Sequence, residues 1–421
     1  MQKHKTNRLE TTKLIGPMVD KHWSDLRSAK DRGEMVAWCS GPMFIFPYAM
    51  GMKCHFMAGY AAYAGGRGAA DRLLEIAEDE GDLLDTCSYH KAHMGMAAAI
   101  KKGLPLREDV KLPMPDLLIT GRLCPEMSHY AEGLYRRMNI NVVGIDTPPP
   151  ANESNVMILE KFCEAQVREV LIPTVEKICG KPFDYDRLRE ILAILKETCL
   201  LRNECWEYFK KIPSPWTLWD YGVSIAPVFY MMGSPDAVPY YTKLRDELAE
   251  RAEKKIGAIE PEDFRVYWDG WLPWGFLGQF SRKMTSLGIV PLVGRYPWEF
   301  FPHPETIDLN EDPVATFAKQ VYSNGGLAKQ NLPNMSLPTL HKWIDEYHLD
   351  GVIMFSSKSC RMWNLGHPDF IKAIERKNGI PGVIIEGDMV DSRMNSFAQI
   401  DTRLEAFAEM MAARKKSVVD L

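Results

Sequence analysis

The sequence predicts an α/β protein: two doubly wound, Rossmann-like domains with parallel sheets, joined by a helical connector. Three observations carry this. Short, continuously apolar runs fall into two groups, one in each half of the chain. Segments of helical period alternate with those runs, the pattern of sheets covered by helices on both faces. At 421 residues the chain is also longer than a single core usually supports.

The first group holds Met35–Cys39 (MVAWC), Asp116–Thr120 (DLLIT) and Val142–Asp146 (VVGID). The second holds Phe264–Trp268 (FRVYW), Ile289–Val293 (IVPLV), Gly351–Phe355 (GVIMF) and Gly382–Glu386 (GVIIE). Apolar runs this short suit strands buried on both faces, and Asp116–Thr120 and Gly351–Phe355 are expected at the sheet centres. Between the groups, Glu160–Ile178 and Tyr185–Lys210 read as long helices. Val238–Ile256 sets Leu244, Leu248 and Ala252 in a row among charges, as an amphipathic surface helix does. Proline-rich breaks at Thr147–Ala151 (TPPPA) and Ile212–Pro215 (IPSP) punctuate the stretch. The expected organisation is an N-terminal α/β domain over 1–152, a helical connector over 153–260 and a C-terminal α/β domain over 261–421. No fixed-period repeat and no low-complexity tract interrupts it.

Composition narrows the function classes. With 46% hydrophobic and 25% charged residues the chain reads as soluble and globular. A net charge of −5 gives no electrostatic reason for nucleic acid as a partner. No run approaches the ~20 apolar residues of a membrane helix. The start, MQKHKTNRLETTKL, lacks the apolar core of a signal peptide, so the expected location is the cytoplasm. There is no G-x-x-x-x-G-K-[ST] loop. AGGRGAAD (Ala64–Asp71) places Asp71 where a dinucleotide fingerprint needs its third glycine, so no nucleotide machinery is expected.

Nine cysteines, irregularly spaced and without a CxxC pair, argue against a disulfide framework, a zinc ribbon and a thioredoxin-type centre. Three sit where a site would form. Cys124 follows a strand in LLITGRLCPEM, and Cys360 follows one in GVIMFSSKSCRMW. Ligands of open α/β sheets collect beyond the carboxyl ends of strands. Cys87, in LLDTCSYHKAHMG, opens a helix, whose N-terminus favours a thiolate. A free cysteine is commonly a core residue, so packing stays open for each of the three taken singly. Cys163, Cys179, Cys199 and Cys205 read as packing residues of the connector, and Cys39 ends the first strand.

DTCSYHKAHMG, LLITGRLC, DGVIMFSSKSC and IEGDMVDSR…QIDTRLEAFAEM together resemble the benzoyl-CoA reductase / 2-hydroxyacyl-CoA dehydratase family, in order from about Gly33 to Met411. The resemblance implies that Cys87, Cys124 and Cys360 are the three protein ligands of a [4Fe–4S] cluster. A cubane usually takes four cysteines, so three would leave one iron with an exchangeable position. It also implies a related second cluster-bearing subunit, an ATP-hydrolysing iron–sulfur activator fed by ferredoxin, and a CoA-thioester substrate.

Two features lean toward the reductases. The block IPSPWTLWDYGVSIAPVFYMMGSPDAVPYYTKLRDELAER is similar to the larger cluster-bearing benzoyl-CoA reductase subunit. Where dehydratase α chains carry a WS-type segment and then a glutamate, this chain reads WCSG (Trp38–Gly41) and CHFMAGY (Cys54–Tyr60), without a carboxylate. The expected activity is ATP-driven, radical-type reduction of an aryl- or acyl-CoA thioester. Dehydration of a 2-hydroxyacyl-CoA through a ketyl radical, a non-catalytic electron relay and a structural zinc site remain as alternatives. YWDGWLPWGFLGQF (Tyr267–Phe280) supplies Trp271 and Trp274 as pocket walls, with packing in the core an equal alternative, and Cys39, at the end of the first strand, is a further candidate pocket residue. His90, His93 and Glu126 are the candidate proton donors, each also suited to a structural role, and Asp388 reads as a strand-end residue.

Overall fold

A computed structural model of the chain describes residues 4–122, 124–148, 153–229, 231–299, 302–323 and 333–419. β1 (Lys5–Thr6) pairs antiparallel with β6 (Ile259–Glu260) as a small accessory ribbon. The remaining strands form two four-stranded parallel sheets.

The first sheet contains β2 (Val36–Cys39), β3 (Lys53–Phe56), β4 (Leu117–Gly121) and β5 (Val142–Ile145), in the order β3-β2-β4-β5. The second contains β7 (Phe264–Asp269), β8 (Ile289–Val293), β9 (Gly351–Ser357) and β10 (Gly382–Gly387), in the order β10-β9-β7-β8. Every residue of β2, β4 and β8 is buried, which is why these strands read as unbroken apolar runs. All seven expected strands are present, and β4 and β9 are interior. The strand β3 was not expected. Its sequence, KCHF, carries Lys53 and His55, and as an edge strand it leaves Lys53 and Cys54 half-buried.

Both sheets share one topology. The first strand in sequence sends its successor to one side and the next two to the other, so strand order reverses between β2 and β4, and again between β7 and β9. Such reversals are where open α/β sheets bind ligands, beyond the carboxyl ends of the strands.

Helices surround the sheets, and residues from both sheets and the helices between them share one continuous core. The helix expected over Glu160–Ile178 is Val156–Gln166 and Ile172–Cys179, joined by a single π turn at Val167–Leu171. Pro173 lies at the start of the second piece and has no N–H to continue the α-helical ladder, which accounts for the π turn. Tyr185–Glu207 is capped by Asp184, whose side chain accepts from the Arg187 amide. The amphipathic helix runs over Ala237–Glu253 and buries Leu244 and Leu248. The boundary expected at residue 152, with part of Thr147–Ala151, lies outside the described residues. Among the described residues no helix is long and apolar enough to cross a membrane.

Candidate active site

The carboxyl ends of the two sheets enclose a cavity of about 580 Å³. Ser40 reaches it from the end of β2, Phe56 from β3, Cys124 from β4, Trp271 from β7, Cys360 from β9 and Met389 from β10. Residues beyond both points of strand reversal therefore line one space.

Cys87, Cys124 and Cys360 all line this cavity and all are half-buried. Each is also the N-cap residue of a helix: Cys87 of Ser88–Lys102, Cys124 of Pro125–Met138 and Cys360 of the short turn Arg361–Asn364. Gly95 lets the first of these helices pack tightly, because a Cβ there would fall 1.8 Å from the Leu73 carbonyl oxygen. None of the thiols makes a capping hydrogen bond of ordinary length. The amides of Tyr89 and His90 still favour a thiolate at Cys87, those of Glu126 and Met127 at Cys124, and that of Trp363 at Cys360.

Burial opposes this and pushes all three thiols up, Cys360 to about 11. The thiols also raise one another: Cys360 and Cys124 act on Cys87, and Cys124 acts on Cys360. Three buried thiols in one cavity, each pushed up by burial, suit a cationic centre, which takes thiolates outright. Among the described residues, no three His, Cys, Asp or Glu side chains converge closely enough for a single metal ion. A cluster is less demanding, because each cysteine binds a different iron and the sulfurs stand further apart than the ligands of one ion. The donor set fits a cluster.

Trp271 forms the aromatic wall. Its ring lies 5.4 Å from Tyr89, 4.5 Å from Tyr296 and 5.9 Å from Trp363 between centroids. The turn that aims it needs Gly270 at φ +101°, where a Cβ would meet the Phe355 carbonyl oxygen at 2.3 Å. Trp363 is anchored in turn, its Nε1 donating to Asp269 Oδ1 at 3.0 Å, and Arg295 pairs with Asp269 at 2.8 Å.

The structure separates the other sequence candidates. His90 and Glu126 line the cavity. Burial pushes His90 down to about 4, its ring stacks on Tyr130 at 5.0 Å, and its Nδ1 has no hydrogen-bond partner among the described residues. His93, one turn on, does not line the cavity. It is fully buried, bonded through Nδ1 to the Tyr130 hydroxyl and through Nε2 to His55 Nε2 at 2.9 Å. Cys39 does not line the cavity either, being wholly buried in β2 below Ser40. Trp274 faces a separate cleft beside Gly222 and Arg67. Sequence reading missed Ser40, Tyr89, Ser359 and Met389, and only Ser40 and Ser359 stood beside a flagged cysteine.

The family model for the 2-hydroxyglutaryl-CoA dehydratase D-component matches residues 45–411. The chain belongs to this family. Apart from Ser40, every residue lining the cavity falls within the span shared with the 2-hydroxyglutaryl-CoA dehydratase D-component family. Similar proteins include the lactoyl-CoA dehydratase subunit alpha of Anaerotignum propionicum, 28% identical over 97% of this chain and 98% of that one. A benzoyl-CoA reductase subunit of Thauera aromatica is 29% identical, covering 94% of each chain. The (R)-phenyllactyl-CoA dehydratase alpha subunit of Clostridium sporogenes is 26% identical over 92% of each. These family members are named for two outcomes, dehydration and reduction, on CoA thioesters.

Proposed function

We propose that this chain is the cluster-bearing subunit of a cytoplasmic enzyme that reduces an aryl- or acyl-CoA thioester by single-electron steps, of the benzoyl-CoA reductase type. One observation carries the reading: Cys87, Cys124 and Cys360 cap three helices around one cavity at the paired strand reversals of two parallel sheets. Those residues would hold a [4Fe–4S] cluster with one iron free of protein thiol. When bound, the cluster supplies low-potential electrons and an open position for a substrate oxygen.

The chain supplies the rest. Phe56, Met57, Met127, Trp271 and Met389 wall the cavity with apolar surface, which excludes water from a reactive radical. His90, neutral near pH 7 because burial lowers it to about 4, offers one ring N–H donor and one acceptor at the cavity wall. Glu126 places a second proton-handling group two residues past Cys124. His93 takes no part at the cavity and orients Tyr130, on which His90 stacks.

Phe56, Met57 and Ala58 give this side of the cavity an apolar face, which favours an uncharged aryl or acyl group. The second reading, a 2-hydroxyacyl-CoA dehydratase component, is favoured by likeness to the lactoyl-CoA and phenyllactyl-CoA dehydratase alpha subunits over nearly the whole chain. Relatives that are themselves named as subunits support a partner subunit, which in this reading would be a related, cluster-bearing chain. An ATP-hydrolysing activator reduced by ferredoxin would drive the electron. The test is turnover of the anaerobic complex with its activator on benzoyl-CoA and on 2-hydroxyacyl-CoA thioesters, with products read by mass spectrometry. A cyclic diene thioester supports the first reading, and an enoyl thioester from the hydroxyacyl substrate alone replaces it with the second.

A further inference from the structure

Asp388 is fully buried and directly follows β10. Four donors converge on its carboxylate. Oδ1 accepts the amides of Val390 and Asp391, each at 3.1 Å. Oδ2 accepts the hydroxyls of Ser357, at 3.2 Å, and Ser359. Asn395 pins the main chain here, its Oδ1 accepting the Asp388 amide at 3.0 Å and its Nδ2 donating to the Asp388 carbonyl at 3.2 Å. Among the described residues no Lys, Arg or His forms an ion pair with Asp388. It is a buried acid held by dipoles and hydroxyls, with no counter-charge in contact.

Its reach extends to two cysteines. Ser359 immediately precedes Cys360, and Ser88 immediately follows Cys87. Ser359 Oγ donates to Asp388 and accepts the Ser88 amide at 3.2 Å, with Ser88 Oγ also 3.2 Å away. One carboxylate therefore anchors a clasp joining the loop after β9 to the helix capped by Cys87. Both serines are buried, so water does not compete for these bonds.

We propose that Asp388 is a positioning residue for the cluster site. Through Ser359 and Ser88 it fixes the spacing of Cys360 and Cys87, and its buried negative charge keeps the cluster's reduction potential low. The proposal rests on the reading that these cysteines hold a cluster. A cluster's potential follows the net charge, hydrogen bonding and solvent exposure around it, and a nearby negative charge opposes an added electron. A residue that only shaped the turn after β10 would bear on loop geometry without bearing on potential.

Asp388→Asn keeps the size and an acceptor oxygen and removes the charge. The experiment is an EPR-monitored redox titration, with iron content, of the anaerobically purified complex carrying the wild-type chain, Asp388→Asn or Ser359→Ala. The expected result is wild-type iron in Asp388→Asn with the midpoint potential moved positive. Ser359→Ala keeps the charge and cuts the clasp, so it should release iron to a chelator several-fold faster at a nearly unchanged potential. Wild-type iron with an unshifted Asp388→Asn potential overturns the charge role. A wild-type rate of iron release from Ser359→Ala overturns the clasp, and this arm stands even where Asp388→Asn fails to assemble. A wild-type complex without iron overturns the reading of the site itself, and this inference with it.

Discussion

Glu78 and Arg393 form a two-point ion pair, with Arg393 Nη1 and Nη2 donating to the two carboxylate oxygens at 2.8 and 2.6 Å. It binds the helix Ala70–Asp79, which packs on the Cys87 helix, to the turn after β10. Lys91, whose side chain is fully buried, donates to the same carboxylate at 2.6 Å. Asp71 reinforces the junction by accepting the Ser392 amide at 3.0 Å.

The Arg393 guanidinium, with Lys91, holds the Glu78 carboxyl down to about 2. Its folded value lies below its unfolded one, so the stabilisation is present above about pH 4.5 and is lost as pH falls through about 2. Glu78→Gln leaves Lys91 buried without its counter-charge and should cost about 2–3 kcal/mol at pH 7. Denaturant melts at pH 7 and pH 3.5 check this: the gap between variant and wild type should narrow at the lower pH.

Buried histidines set a second pH dependence. Burial lowers His22 to about 4 and His93 to about 3, and it lowers His55 strongly as well. Each is neutral when folded and takes up a proton on unfolding below its ordinary value near 6.5, so stability is full above that pH and falls below it. Between pH 6 and 4.5 the slope should approach about 1.4 kcal/mol per pH unit for each such histidine. His93→Gln should flatten the wild-type slope by about one histidine, whatever it does to stability at pH 7. An unchanged slope contradicts the assignment.

β2, β4 and β8 were legible because every residue in them is buried, which leaves apolar runs that need no partner to be recognised. The edge strands β5 and β10 keep enough valine and isoleucine to read the same way despite an exposed residue in each. β3 was not, since KCHF pairs at an edge and takes its meaning from Trp38 and the rest of β2 alongside. The cysteines were legible as thiols just past strands or at a helix start. The spacing of His90 and His93 suggested one role for both. Tyr130 and His55, from distant segments, draw His93 into the core and leave His90 at the cavity. The clasp of Asp388, Ser359 and Ser88 was invisible for a similar reason, because the two serines stand 271 residues apart.

Trp271 and Trp274 lie in one connection but face different spaces, which separates their roles. Trp271→Ala should cost about 3 kcal/mol of stability, as aromatic truncations in packed sites do. It should also admit water, so that more electrons are consumed per product formed. Trp274→Ala should leave that ratio unchanged. The measurement is reductant oxidised against thioester product in the same anaerobic assay.

The central claim concerns three thiols and one centre. The most direct measurement is iron and acid-labile sulfide per chain, with EPR, in the anaerobically purified complex carrying single serine substitutions. The account predicts that Cys87→Ser, Cys124→Ser and Cys360→Ser each lose iron and the cluster signal, while Cys39→Ser and Cys199→Ser, at wholly buried positions away from the cavity, retain both. Full iron in any of the first three, or loss in Cys39→Ser equal to theirs, would contradict it.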